Sequence, residues 1–255
     1  MSETVRSERS GDTVTVTLCN PAKRNSLGLE VLLALTEAFA RASDSDATGI
    51  VLAAEGPVFS AGHNFGEMKG AEYADAHRLF TVCSNLMQMM HTVPQPIVAR
   101  VHALATAAGC QLVATCDLAV AARSASFAIP GGKGGLFCHT PAVAVARSMP
   151  RKFALEMAMT GDPIDADTAH RWGLVNQVVD DEHLDDAVHD LLARATRGSA
   201  WSKGLGKRAF YEQINMEESA AYEFATAVMA DAVTGDAAQE GIAAFLDKRE
   251  PRFPR

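Results

Sequence analysis

Val101-His-Ala-Leu-Ala-Thr-Ala-Ala-Gly-Cys-Gln-Leu-Val-Ala-Thr-Cys-Asp-Leu-Ala-Val120 decides how this chain folds. An apolar strand over Pro96 to Val101 runs into small residues, Ala103 to Gly109. A helix of Ala, Leu and Val follows, and after Asp117 a second apolar run begins, Leu118 to Ala122. A strand that meets a helix start through Ala-Ala-Gly brings backbone N–H groups close to whatever lies above it. First-turn N–H groups have no partner within the helix, and the dipole there favours negative charge. Such a junction can offer donors to an oxygen that becomes negative during a reaction. Small residues also serve close packing of helix on strand, and this stretch alone is compatible with both uses.

Working outward, the segments on either side alternate strand and helix. Thr13 to Leu18 alternates polar and apolar residues, a half-buried strand that stops at Asn20-Pro21. Ala22-Lys-Arg-Asn25 is a polar loop with two adjacent cations, and Ser26 is a candidate N-cap for the apolar helix after it. Gly49 to Ala54 is a short buried strand, turned by Gly56-Pro57 into a second small-residue loop, Val58-Phe-Ser-Ala-Gly-His-Asn64. Residues 73 to 93 read as an amphipathic helix with Leu79, Phe80, Cys83, Leu86 and Met90 inward.

Downstream, Phe127 to Gly135 reads as a flexible glycine loop; it matches neither GxxxxGK[ST] nor GxGxxG, so a phosphate loop is rejected. A helix starts at Thr140 or Pro141, another covers Arg151 to Thr160, and a third covers Ala166 to Trp172 with Asp165 as N-cap. Leu174 to Val179 reads as a strand, and Glu182 to Phe245 is almost all helical. This order predicts a mostly parallel sheet with covered faces and a helical tail. The first dozen residues carry no apolar pattern and are expected to be loose.

With 255 residues and 48% hydrophobic content the chain can bury a sizeable core. A net charge of −8 without basic runs argues against nucleic acid as a partner. No apolar run spans a membrane, and the N-terminus lacks a signal peptide's apolar core. Five cysteines without CxxC spacing read as reduced thiols, and a cytoplasmic location is expected. No ligand spacing supports a metal site.

Taken together, the pieces resemble the enoyl-CoA hydratase/isomerase (crotonase) family over essentially the whole chain. Asn20-Pro21 with Lys23 to Leu27 is similar to its first CoA loop, and Phe59 to Asn64 to its F-[SA]-[AS]-G-x-[DN] loop. Ala103 to Asp117 is similar to its G-x-A-x-G-G-G-x-[EQ]-L-x-x-x-C-D signature, with Ala103, Ala107 and Ala108 where Gly is usual. Ser126 to Pro130, Gly161 to Val179 and Glu240 to Arg249 continue the match in order. The resemblance implies an α/β fold with a repeated ββα spiral core over residues 1–195. It also implies a C-terminal helical region over 196–255 that builds trimers, often paired into hexamers.

The resemblance further implies acyl-CoA thioester substrates in fatty-acid metabolism, with coenzyme A as part of the substrate and no separate cofactor. The backbone N–H groups of His63 and Ala108 would form an oxyanion hole. Ala22, Lys23 and Arg24 would meet CoA, Ser60 and Ala61 the adenine, and Phe245 and Lys248 would complete the pocket. The family's hydratases use two glutamates, because one carboxyl can take a proton while the other gives one. Here those positions hold Gln111, which is no base, and Gly131. His139 is the candidate base, or a residue that only packs at a helix start; Glu67 and Asp162 are weaker candidates for proton transfer, and Cys138 is a candidate nucleophile toward the thioester or a buried inert thiol. Two readings stand: an enzyme acting through a thioester enolate, as hydratase, isomerase or hydrolase, and a non-catalytic acyl-CoA binder.

Overall fold

Val5–Ser10 (β1) and Thr13–Leu18 (β2) form an antiparallel hairpin at the edge of a six-stranded sheet in the computed structural model, which describes residues 4–253. The expectation of a loose N-terminus is corrected here. Only Val5 of β1 is buried, so its side chains announce nothing, yet its backbone pairs from Val5↔Leu18 to Ser10↔Thr13. Met1 to Glu3 lie outside the described residues.

The rest of the large sheet is parallel. After Leu29–Ser43 (α1) come Gly49–Ala54 (β3), Phe65–Met68 (α2), Tyr73–Thr92 (α3) and Ile97–Val101 (β4). Ala105–Thr106 (β5), Ala108–Thr115 (α4) and Leu118–Ala122 (β6) follow. Then come Ser126–Ala128 (β7), His139–Ser148 (α5), Arg151–Thr160 (α6), Ile164–Asp165 (β8), Ala166–Trp172 (α7) and Gln177–Val179 (β9). The chain ends in four helices, Leu184–Ala195 (α8), Ala200–Gln213 (α9), Glu218–Thr234 (α10) and Asp236–Leu246 (α11). The strand order is β1-β2-β3-β4-β6-β9, and β5-β7-β8 form a small second sheet.

Parallel strands need both faces covered, and β3 shows how the sequence meets that need. Ile50 and Leu52 point into the main core with α1 and α3, while Val51 and Ala53 point into a second cluster under α8. From α8 come Leu184, Val188, Leu191 and Leu192, one helical stripe. Burying each such side chain contributes about 1.5–3 kcal/mol.

Three local readings are corrected. Ser26 does not cap α1, which begins at Leu29 after Gly28; Leu27 is instead drawn into a bridge, its N–H 2.7 Å from Gly62 O. Phe127 to Gly135 is not a loose loop, since β7 covers Ser126–Ala128 and a 3-10 turn covers Pro130–Gly134. The strand expected over Leu174 to Val179 is limited to β9, because Leu174 and Val175 are buried in the core ahead of it.

The tail is fastened by a buried ion pair. Asp117 Oδ2 lies 2.7 Å from Lys207 Nζ of α9 and accepts the Ile97 N–H of β4 at 2.7 Å. Asp117 Oδ1 accepts the Tyr211 hydroxyl at 2.9 Å, and His91 of α3 stacks on Tyr211 at 3.8 Å. Burial pulls the Lys207 ammonium below its usual range, and Asp117 opposes that shift. Replacing one partner leaves the other charge buried without compensation. We therefore expect Asp117→Ala to lower unfolding free energy in urea by about 3–5 kcal/mol, whereas Arg194→Ala, at the exposed pair with Asp190, costs under about 1 kcal/mol.

Candidate active site

Because β2, β3 and β4 are neighbours and parallel, the segments that leave their C-terminal ends emerge side by side, the usual place for a site in a parallel sheet. These are residues 19–28, 55–64 and 102–107. Asn25, buried in the first, ties it to the second through Nδ2 to Glu55 O (2.8 Å) and Val58 O (3.1 Å). Asn25 Oδ1 also accepts the Asn20 N–H at 2.9 Å. Arg24 and Asn25 both take left-handed backbone, φ 52 and 50, and asparagine tolerates that region better than most residues. Sequence reading recorded Asn25 only as part of a polar loop; its one signal was a non-glycine residue suited to a tight turn.

The second and third segments touch through their glycines. A methyl on Gly62 would stand 2.8 Å from Ala107 Cβ and 2.9 Å from Thr106 O, and Gly62 has φ +80. One on Gly109 would stand 2.6 Å from both Ser60 Cβ and Ser60 O. Hydrogen bonds lock the contact: Phe59 N–H to Leu104 O at 2.9 Å and Thr106 N–H to Ser60 O at 2.9 Å.

Two N–H groups, of His63 and Ala108, belong to the segments that meet here. His63 lies opposite Leu27 in a parallel bridge whose bonds are made by Leu27 N–H to Gly62 O (2.7 Å) and Asn64 N–H to Leu27 O (3.4 Å). The N–H of His63 itself is therefore directed away from Leu27. Ala108 is the first residue of α4, so its N–H has no acceptor in the helix. Its direction is set by Ala107, whose φ of 51 and ψ of −119 suit glycine better than alanine. Strain of this kind costs on the order of 1–3 kcal/mol, and Ala107 is held to it by its N–H to Ala128 O at 2.9 Å and by Gln111 N–H to its own carbonyl at 3.0 Å.

His63, Gln111 and Thr106 stand around the two N–H groups, and the Glu67 carboxylate acts on the His63 ring. The His63 Nδ1 lies 3.1 Å from Leu27 O, a carbonyl, so Nδ1 carries the proton and Nε2 is bare. That Nε2 is buried and has no hydrogen-bond partner. Burial pulls the imidazole below its usual pKa, and its ring meets Phe80 of α3 edge to face at 5.1 Å. Gln111 is buried, with Oε1 also unpartnered. Thr106 Oγ1 is a third buried atom without a partner, a residue that sequence reading passed over because a lone strand threonine carries no pattern. His102 Nε2 lies 2.8 Å from Gly56 O, and its buried Nδ1 is a fourth atom without a partner.

The other candidate proton carriers, and the candidate nucleophile Cys138, are occupied or exposed. Glu67 Oε2 accepts the Leu29 N–H at 2.9 Å and Oε1 the Asn64 amide at 2.9 Å, so this carboxylate caps α1 rather than sitting free in solvent. Asp162 pairs with Lys133. Cys138 Sγ accepts the Gly131 N–H at 3.2 Å, and burial pushes its thiol up. His139 is exposed beside Phe137, with ring centroids 5.2 Å apart. Gly131 is closed in: a methyl there would stand 2.1 Å from Leu136 O and 2.8 Å from Cys138 Sγ.

Of the residues expected at CoA, Ala22, Lys23 and Arg24 are exposed on a 3-10 turn and its cap. Arg24 O accepts the Ala61 N–H at 3.0 Å, which fixes the cations next to Ser60 and Ala61. Ser60 is fully buried, with its N–H, carbonyl and hydroxyl all engaged inside the protein. Phe245, 83% exposed, and Lys248 lie at the end of α11, which packs on α9 and α10.

The family model described as enoyl-CoA hydratase/isomerase matches residues 8–255. A Rattus norvegicus protein named enoyl-CoA hydratase domain-containing protein 3, mitochondrial, is 46% identical over 238 residues, covering 92% of this chain and 79% of the relative. The crystal structure of an enoyl-CoA hydratase of Mycobacterium smegmatis superposes with TM-score 0.95 at 41% identity, covering 98% and 99% of the two chains. That of human enoyl-CoA hydratase domain-containing protein 3 gives 0.95 at 40% identity, covering 98% and 100%. The crotonase-type α/β fold expected above is thus the fold observed.

The cytoplasmic expectation is corrected: the rat relative and its mouse, zebrafish and human counterparts are all named as mitochondrial. Reduced thiols fit any reducing compartment, so the cysteines could not decide between them.

The crowding at residue 131 generates a contrast. Gly131→Ala is expected to lower stability by about 1–3 kcal/mol through overpacking, and Gly131→Glu by at least as much. Gly134→Ala, where nothing lies within 4 Å, should stay within about 0.5 kcal/mol of wild type. Thermal and urea unfolding of the three variants measure it.

Proposed function

The chain belongs to the enoyl-CoA hydratase/isomerase family, and from that premise we propose that it binds an acyl-CoA thioester and stabilises the enolate of its acyl group. The observation that carries this reading is the pair of N–H groups of His63 and Ala108, presented from two segments braced in contact. A thioester oxygen between them gains charge as the enolate forms, and a donor aimed at developing charge is worth about 10²–10³ in rate. Lys23 and Arg24, exposed beside Ala61, meet the phosphates of CoA; Phe245 and Lys248 complete the pocket from a neighbouring copy. Coenzyme A is part of the substrate, and no separate cofactor takes part.

Hydration by two carboxylates is not the chemistry of this site. One acid/base group contributes about 10²–10⁴ in rate, and here one position is an amide and the other a glycine whose side-chain space is filled. Isomerisation or hydrolysis of a CoA ester needs only one proton-handling group. The closed turn at Gly131 also favours a second reading, in which the protein binds acyl-CoA without turnover.

Residues 1–195 form the acyl-CoA-binding core and 196–255 the assembly region. Tyr222 and Met229 of α10 are each 69% exposed, and apolar faces of this size are suited to cover by other copies in a trimer or hexamer.

Two experiments test these statements. Crotonyl-CoA incubated in ¹⁸O-labelled water is expected to gain no label within the time the family's two-glutamate hydratases turn over; rapid uptake overturns the exclusion of hydration. Lys23→Ala and Arg24→Ala should each weaken CoA binding severalfold, on the order of 1 kcal/mol for an exposed ionic contact. The loss should shrink as salt rises. Calorimetry at two ionic strengths measures both.

A further inference from the structure

If the site makes an enolate, something must take the proton from the carbon beside the thioester. The groups on these loops can be sorted by what their lone pairs already do. The Glu67 carboxylate is held by Leu29 N–H and the Asn64 amide. The Cys138 sulfur is held by Gly131 N–H and its thiol is raised. Asp162 is paired with Lys133, His139 is exposed, and the Gln111 amide is no base. Two basic lone pairs remain, buried and with no partner, Nε2 of His63 and Nδ1 of His102; of the two, only His63 stands at the residue whose main-chain N–H is assigned above to the thioester oxygen. Leaving such an acceptor unsatisfied is costly, and the ring is fixed at two points, by Leu27 O at Nδ1 and by Phe80 edge to face.

We propose that the His63 imidazole is the proton acceptor of this site. It rests on the enolate reading above. In the step, the carbon–hydrogen bond next to the thioester carbonyl breaks and its proton forms a bond to Nε2. The electron pair passes into the enolate, whose oxygen is held by the N–H groups of His63 and Ala108. A neutral imidazole and a neutral thioester become an imidazolium and an enolate; return of the proton to the same or a conjugated carbon restores the ring. One residue thus gives its main chain to the oxygen and its side chain to the carbon. Burial keeps the ring neutral, ready to accept. Glu67 on α2 is the charged group acting on the ring and steadies the imidazolium; Leu27 and Phe80, the other contacts, carry no charge.

The test exploits the fact that substitution leaves the main-chain N–H in place. Wild type and His63→Asn are incubated with butyryl-CoA in deuterated water, and label at the acyl group is followed by mass spectrometry. Asparagine can still donate to Leu27 O but lacks the Nε2 base. Exchange is expected to fall at least about 100-fold while butyryl-CoA affinity stays within about threefold. In wild type, exchange should decline with acid, with a midpoint below about pH 6.5, the ordinary value for histidine. Exchange equal in wild type and His63→Asn, or a wild-type profile with no acid limb, overturns the assignment of His63 and leaves the enolate reading intact. No exchange in wild type that binds butyryl-CoA overturns both. Should His63→Asn fold poorly, His63→Gln and the wild-type pH profile decide by the same outcomes.

Discussion

Gly62 and Gly109 let two segments of main chain lie against one another at a distance that no side chain could share. A single Cβ at either would intrude to under 3 Å on backbone or side chain across the junction. The contact is possible because β3 and β4 are parallel neighbours, so what leaves their C-terminal ends is adjacent before any loop chemistry acts. The junction also explains the strained Ala107. Turning the chain from β5 into α4 against Gly62 requires φ and ψ that alanine adopts at a cost. The bonds among Phe59, Ser60, Leu104 and Thr106 hold it there.

Rigidity at the junction extends to its neighbours. Asn25 joins the loop carrying Lys23 and Arg24 to residues 55 and 58, and Ser60 Oγ returns a bond to Asn25 O at 2.8 Å. Glu67 completes the frame by capping α1 from the segment that holds His63. Lys23 and Arg24, proposed to meet phosphate, and the N–H of His63, proposed to meet the thioester oxygen, are therefore set at a fixed separation. Binding energy gained at the remote end of a substrate can then be used for orientation at the reacting end.

What could be read from the residues follows from how local the causes are. Gly49–Ala54 and Leu118–Ala122 are short apolar runs between turn signals, and they fold as strands with the predicted bounds. Arg151–Thr160 and Ala166–Trp172 carry their own stops and caps, and the Asp165 side chain does accept from Thr168 N–H. By contrast, β1 is ordered by backbone pairing alone, and the start of α1 is set by Glu67, thirty-eight positions away. Neither cause is visible within a window. The two small-residue loops were legible as a motif, yet the roles of Asn25, Thr106 and the Nε2 of His63 depend on contacts across the fold. Gly131 is the clearest case: the resemblance implies a missing carboxylate there, whereas the structure shows that Leu136 O and Cys138 Sγ stand where a side chain would go.

That closure changes how the missing glutamates are understood. Gln111 is nearly buried and neutral, and the nearly buried charges of the fold, Asp117 and Lys207, are paired with each other at the foot of the tail. A site with a carboxylate at each position must form an enolate in the presence of negative charge, and it relies on protonating one carboxyl to do so. A site lined by Gln111, Thr106 and a neutral imidazole has no carboxylate at either of those two positions, and Glu67 acts on it only through the His63 ring. Transfer of a proton from carbon to imidazole then creates both charges at once, close together and out of water, where their attraction is strongest. On the proposed reading the enolate is held by main-chain N–H groups whose orientation is fixed before substrate arrives, so little reorganisation opposes its formation. The absence of both glutamates is, on this argument, consistent with enolate chemistry and incompatible only with the two-carboxylate handling of water.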